Sequence, residues 1–169
     1  MQIIKYCMLF CVFILSNLIG KYIANTYKYR LQELEEIKNA LNIFKTKIKF
    51  TYSPIPEIFE EISKTTTQNI SKIFSNAKEK MKDQTADIAW KEAVENSKSN
   101  LNEEDKQAIT TLSKLLGMTD TEGQISQIEV TESFLEKQIK QAQEEKNKNE
   151  KLYKKLGTTI GLAIVIILI

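Results

Sequence analysis

Both ends of this 169-residue chain are apolar: residues 156–169 carry no charged side chain, and residues 2–20 carry only Lys5. Apolar ends leave water either by entering a bilayer or by packing on each other, so the 135 residues between them fold as a segment held at both ends. Ile3–Gly20 is eighteen residues, about 27 Å as a helix against a hydrocarbon core of ~30 Å, and it reads as a membrane anchor. A cleaved signal peptide is the competing reading, but no small-x-small site follows the apolar run, and Lys21–Ala24 continues into helix. Leu156–Ile169 is fourteen residues, about 21 Å, and is short for a span. Either Lys154 and Lys155 snorkel while the bilayer thins, or the segment stops partway and packs on the N-terminal anchor; the second option is favoured.

The charge pattern supports the membrane reading. Residues 21–50 hold seven Lys/Arg against three Glu, and residues 137–155 hold seven Lys against three Glu. Residues 51–136 hold nine Lys against sixteen Asp/Glu, although the whole chain is only +2. Basic flanks beside the apolar ends are what the positive-inside rule asks of cytoplasmic segments. The expected organisation is therefore an N-terminal membrane anchor (1–20), a cytoplasmic helical-bundle domain (21–155) and a C-terminal membrane segment (156–169). An acidic body of this kind repels phosphates, so nucleic acid is not expected as a partner.

Five Gly and two Pro leave few tight turns, and Lys, Glu, Gln, Ile and Leu dominate. The fold class is all-α, an antiparallel helical bundle of about six helices. Leu31, Leu34, Ile37 (or Lys38), Leu41, Phe44 and Ile48 recur at three- and four-residue steps, as one face of a first helix. Pro54 and Pro56 end it and can open a second helix carrying Ile58, Phe59 and Ile62. A third carries Ile70, Ile73, Phe74, Ala77 and Met81. Asp83 or Thr85 can cap a fourth around Trp90, which is either a core anchor or a partner hot spot. Asn102 is expected to cap a fifth helix whose first turn is Glu103, Glu104 and Asp105, the cap being preferred to a metal reading of these acids. Ile109, Leu112, Leu115 and Leu116 form its stripe, and Gly117 stands where a left-handed residue ends it. Thr119-Asp120-Thr121-Glu122 has the capping-box form that opens a last helix. Its seam runs through Ile125, Ile128, Leu135, Ile139 and Ala142, interrupted by Glu132, and becomes a polar stalk beyond Ala142.

The chain has no His, which removes histidine acid–base chemistry and every His-containing triad or metal site. No phosphate-binding glycine loop occurs. Cys7 and Cys11 fall four residues apart within the apolar end and read as lipid-facing or core thiols. The expectation is a non-enzyme with no catalytic, cofactor-binding or metal-binding residues and no cofactor.

Three stretches together carry a family resemblance: Leu34…Leu41…Thr46-Lys47-Ile48…Tyr52-Ser53-Pro54-Ile55-Pro56-Glu57, then Ala89-Trp90-Lys91-Glu92-Ala93, then Leu116-Gly117-Met118-Thr119-Asp120…Gln124. The closing run Asn147–Gly157…Gly161-Leu162…Ile169 is the most specific. In order and spacing the whole chain resembles the stage III sporulation protein AB family. Lys47 is a departure, standing where the family's Thr-Glu-Ile pattern has an acidic residue, and residues 63–69 are richer in Thr.

The resemblance implies a mother-cell membrane protein of endospore-forming bacteria, facing the forespore and belonging to a sporulation-specific secretion-like complex. It implies similarity to platform protein F of type II secretion. It also implies protein partners, namely the complex's cytoplasmic ATPase and other channel subunits, with a homo-oligomer compatible. The function so implied is a scaffold or platform that docks the ATPase to a trans-envelope channel. A membrane-tethered adaptor or signalling bundle unrelated to secretion is the alternative, and a carboxylate-dependent membrane enzyme is a more distant one.

Overall fold

The computed structural model describes residues Gln2–Leu168, with the side chains of Gln2, Ile3 and Leu115 outside the described set. Leu115 of the expected stripe and Ile169 of the expected C-terminal segment thus fall outside it. The elements are α1 (Gln2–Thr51), α2 (Ile55–Thr65), α3 (Gln68–Lys80), α4 (Ala86–Glu95), α5 (Glu103–Thr110), a 3-10 turn (Thr111–Leu115) and α6 (Thr121–Leu168). The fold is all-α, with six α-helices and no strand among the described residues.

The chain packs as two compact units: residues 1–31 with 141–169, and residues 32–140. The boundaries expected at residues 20 and 156 follow hydropathy, whereas these follow contact density. Charged residues such as Lys21 and Lys151 therefore count with the apolar ends by packing and with the middle by composition.

In the second unit the apolar stripes become the core. Leu34, Leu41 and Phe44 of α1, Phe59 and Ile62 of α2, Ile70 and Phe74 of α3, and Trp90 and Val94 of α4 are fully buried. Of the pair Ile37 and Lys38, Ile37 is the buried one, while Lys38 pairs with Glu136 at 2.8 Å. The centre is aromatic: Phe59 lies 5.3 Å from Phe44, 5.2 Å from Phe74 and 5.3 Å from Trp90 between ring centroids, all tilted or edge-on. These are the preferred aromatic geometries. The Trp90 Nε1–H donates to the Ile109 carbonyl at 3.1 Å, so its one polar atom is satisfied inside the core. Trp90 is a core residue, and the hot-spot alternative falls.

The helix ends are set by local chemistry. Tyr52 takes a left-handed conformation (φ 50°), and Pro54 and Pro56 then launch α2. Asn102 and Asp105 form a reciprocal capping box, with Asp105 N–H on Asn102 Oδ1 at 2.8 Å and Asn102 N–H on Asp105 Oδ2 at 2.9 Å. Asp105 is buried in this role, while Glu103 and Glu104 stay exposed. Gly117 has φ 73°, as its place after the stripe predicts.

The start of α6 differs from expectation. The Gly123 N–H bonds to Asp120 Oδ1 at 2.9 Å, so Asp120 caps the helix, and the Thr119–Glu122 box is not used. An Asp one residue later moves the cap by one position, from the Glu122 amide to that of Gly123, and meets it with a full charge. The seam is also shifted: Ile128, Thr131, Leu135, Gln138 and Ala142 are buried, while Ile125 and Ile139 are half-buried. Thr131 fits because its hydroxyl bonds back to the Gln127 carbonyl at 2.9 Å. Glu132, which interrupts the apolar seam, meets Lys45 of α1 at 2.7 Å.

Two α1 carboxylates organise the far ends of other elements. Glu33, buried, accepts from Asn69 Nδ2 at 2.7 Å, Asn100 N at 2.7 Å and Asn100 Nδ2 at 2.8 Å. Glu36 accepts from the Thr67 amide and hydroxyl at the start of α3. Glu36 thus replaces the water that the amide at the start of α3 would otherwise need, while Glu33 ties the linker before α5 and the first turn of α3 to α1.

Candidate functional site

Where α1 and α6 pair in the first unit, the packing logic changes. Residues at helix positions facing outward are apolar and exposed, including Ile4, Met8, Phe10, Leu18, Ile166 and Ile167. The contact between the helices is made by small residues instead. A Cβ placed on Gly20 would lie 2.7 Å from the Tyr153 carbonyl oxygen and 2.9 Å from the Gly157 Cα. One placed on Gly157 would lie 2.9 Å from the Ser16 carbonyl oxygen and 3.0 Å from the Gly20 Cα. Gly161 continues the contact against Phe13 and Ser16. The two backbones touch, and no side chain larger than hydrogen fits between them.

Polar side chains in this contact are closed within the pair. The Ser16 hydroxyl donates to the Gly157 carbonyl at 2.7 Å. The Thr158 hydroxyl donates to Asn17 Oδ1 at 2.7 Å, and Asn17 Nδ2 donates to the Phe13 carbonyl at 2.8 Å. Small residues at the seam, interhelical hydrogen bonds and large apolar side chains facing out form the arrangement that lipid favours and water does not. One flank carries a shallow apolar groove of about 440 Å³ lined by Val12, Leu15, Ile19, Leu156, Ile160 and Ile164.

Towards the charged stretch the same pair acquires interfacial chemistry. Ala24 is fully buried, and Tyr27 stacks on Tyr153 with centroids 5.8 Å apart and planes 15° from parallel. Burial, then the Tyr153 hydrogen bond, raises the Tyr27 phenol above its ordinary range. Arg30, 7 % exposed, pairs with Glu145 at 2.6 Å. Lys154 bonds to Glu150 at 2.7 Å and holds that carboxyl below the usual range. Lys21, Lys28, Lys151 and Lys155 are exposed beside them. Tyr and Lys at this level suit a headgroup layer.

Of the expected segments, Ile3–Gly20 lies within α1, and Ile4–Thr51 is the one stretch among the described residues long and apolar enough to cross a membrane. The C-terminal segment packs on it through Gly157 and Gly161. Cys7 and Cys11 are free and exposed on the apolar surface. Glu103, Glu104 and Asp105 do not converge, and no group of three His, Cys, Asp or Glu among the described residues could hold a metal. The glycine contact is the feature sequence reasoning missed. Its signal is the pair Gly157 and Gly161, four residues apart in an apolar run, a spacing that allows close helix approach.

Comparison with known proteins agrees with this architecture. The family model described as stage III sporulation protein AB matches residues 5–169. The stage III sporulation protein AB of Bacillus subtilis (strain 168) is 24% identical over 153 residues, covering 88% of this chain and 90% of that protein. A solved structure of a stage III sporulation protein AB superposes with a TM-score of 0.65 at 19% identity, covering 70% of this chain and 96% of that one, and so shares the fold. With the family match running through both apolar ends and the helical unit between them, the chain belongs to the stage III sporulation protein AB family.

Proposed function

We propose that the protein is a membrane-anchored platform subunit of a sporulation-specific secretion-like complex. Its helical unit (residues 32–140) docks the complex's cytoplasmic ATPase, and the paired apolar ends tie that docking to a trans-envelope channel in the mother-cell membrane facing the forespore. The observation that carries this reading is the glycine-sealed pairing of Ser16–Gly20 with Gly157–Gly161, which presents apolar side chains outward on both helices. Double anchoring is supported by this pairing, because the C-terminal segment packs closely on the apolar N-terminal helix and shares its outward apolar surface. The basic flanks support a cytoplasmic helical unit, and family membership supports a role in sporulation. Similarity to platform protein F of type II secretion belongs to the same reading.

Co-expression of the full chain with the ATPase, followed by affinity capture in detergent, tests the docking; no co-purification sinks it. Cysteine accessibility at Asn100 and at both ends, with Cys7 and Cys11 replaced by Ser, tests the topology. Labelling of Asn100→Cys from the outside of intact cells would overturn the cytoplasmic placement.

A further inference from the structure

The helical unit carries one surface whose construction is not explained by its own folding. Three helix starts meet there: Gly117, just before α6, lies so that an added Cβ would sit 3.3 Å from the Ala86 Cβ at the start of α4 and 3.6 Å from Ile55 Cδ1 at the start of α2. The turns leading into this junction expose Tyr52 (76 %) and Met118 (70 %), and Phe50, on the last turn of α1 two residues before Tyr52, is 68 % exposed. Large apolar side chains this exposed are ordinary on the first unit, where lipid can cover them. In the acidic unit water is the only cover that folding supplies.

The backbone sharpens the point. Tyr52 is the one non-glycine residue with positive φ among the described residues, and it stands 76 % exposed, so little burial offsets that conformation. A bulky residue held in the left-handed region costs free energy that glycine would avoid. Strain of this kind on a largely exposed side chain points outward to a ligand.

The charges around the junction select the ligand. Glu57 in the first turn of α2, Asp120 and Glu122 at the start of α6, and Asp87 in the first turn of α4 are acidic. Glu57 and Glu122 have no basic partner among the described residues. Nearby cations are largely engaged: Lys47 with Glu61, Lys82 with Glu79, and Lys49 over the Phe50 ring at 5.4 Å. Lys114, on the preceding 3-10 turn, is the exception.

We infer that the junction formed by Phe50–Glu57 and Gly117–Glu122 is the docking face for a protein partner that presents an apolar cleft rimmed by Lys and Arg, with Tyr52 and Met118 as its anchors. Aromatic anchors inside a charged rim are the usual anatomy of a hot spot. The inference rests on the proposed docking of the ATPase and names the face that makes it.

The test uses the full chain in detergent or native membranes with the ATPase as probe. Tyr52→Gly removes the ring but relieves the strain, so the protein remains folded, with a melting temperature at or above wild type, while affinity falls by about tenfold or more. Glu57→Lys with Glu122→Lys weakens binding and flattens its salt dependence. A photo-crosslinking amino acid at position 52 or 118 joins the chain to the ATPase, and one at position 98 does not. If the ATPase binds wild type and Tyr52→Gly equally, the docking face is overturned while the platform reading stands. If position 52 crosslinks only to a second copy of this chain, the face is a self-association surface and the partner named here is wrong. If wild type itself fails to bind the ATPase, the platform reading and this face fall together.

Discussion

Helices α1 and α6 contribute to both packing units, and they pack by opposite rules in the two. Between residues 32 and 140 they bury large side chains at heptad-like steps and meet across long ion pairs such as Lys38–Glu136 and Lys45–Glu132. Between residues 1–31 and 141–169 their closest approach is made by glycines, and most of their large apolar side chains face outward. In water the favourable step is removing apolar area from solvent, so big residues go inside. In lipid that step gains nothing, and close backbone approach with satisfied hydrogen bonds takes its place.

The contrast can be broken most severely at the aromatic centre. Trp90→Ala should cost about 3–5 kcal/mol in the helical unit, because it deletes the ring that Phe59 and Phe74 pack on and leaves the Ile109 carbonyl without its donor. Denaturant unfolding of the detergent-solubilised chain followed by circular dichroism reads it. The pairing of the apolar ends should survive, as reported by disulfide formation in Asn17→Cys with Thr158→Cys on a background lacking Cys7 and Cys11.

Glu33→Ala should come next, costing about 1–3 kcal/mol, because three donors on Asn69 and Asn100 lose one acceptor. Gly157→Leu sharpens the comparison from the other side: it should abolish the 17–158 disulfide while leaving the unfolding of the helical unit unchanged. Asp120→Ala should remove about 0.5–2 kcal/mol by uncapping α6.

The smallest effect is in pH. Lys64 and Lys78 hold the Glu60 carboxyl at about 2, below its ordinary 4.5. A lowered folded pKa means that this contribution is complete above pH 4.5 and disappears as pH falls towards 2. Glu60→Gln should flatten the stability curve in that window and change little at neutral pH, since the site is open to solvent.

Much of the fold is legible in the sequence because its signals are local. The stripes of α1 to α4, the Asn102 cap, the proline break and Gly117 all depend on residues within a turn or two of each other. The clamps of Glu33 and Glu36 are not legible: their partners stand 31–67 positions away in sequence and become neighbours only after α3 and the α4–α5 linker are in place. The α6 seam is read imperfectly for a related reason. Thr131 and Gln138 are buried polar residues, and a pattern that counts only apolar side chains passes over them in favour of Ile125 and Ile139. The glycine contact is written in the chain, but in small residues inside an apolar run, where hydropathy alone is silent.

The chain's one tryptophan is Trp90, and its indole is sealed among Phe59, Phe74 and the Ile109 carbonyl. Its fluorescence is therefore a built-in reporter of the helical unit alone. Tyr27 and Tyr153, stacked on each other in the other unit, give an independent optical handle there. With Tyr52→Phe, which leaves every tyrosine in the first unit, emission from the two chromophore types followed together during unfolding separates loss of one unit from loss of the other without any label.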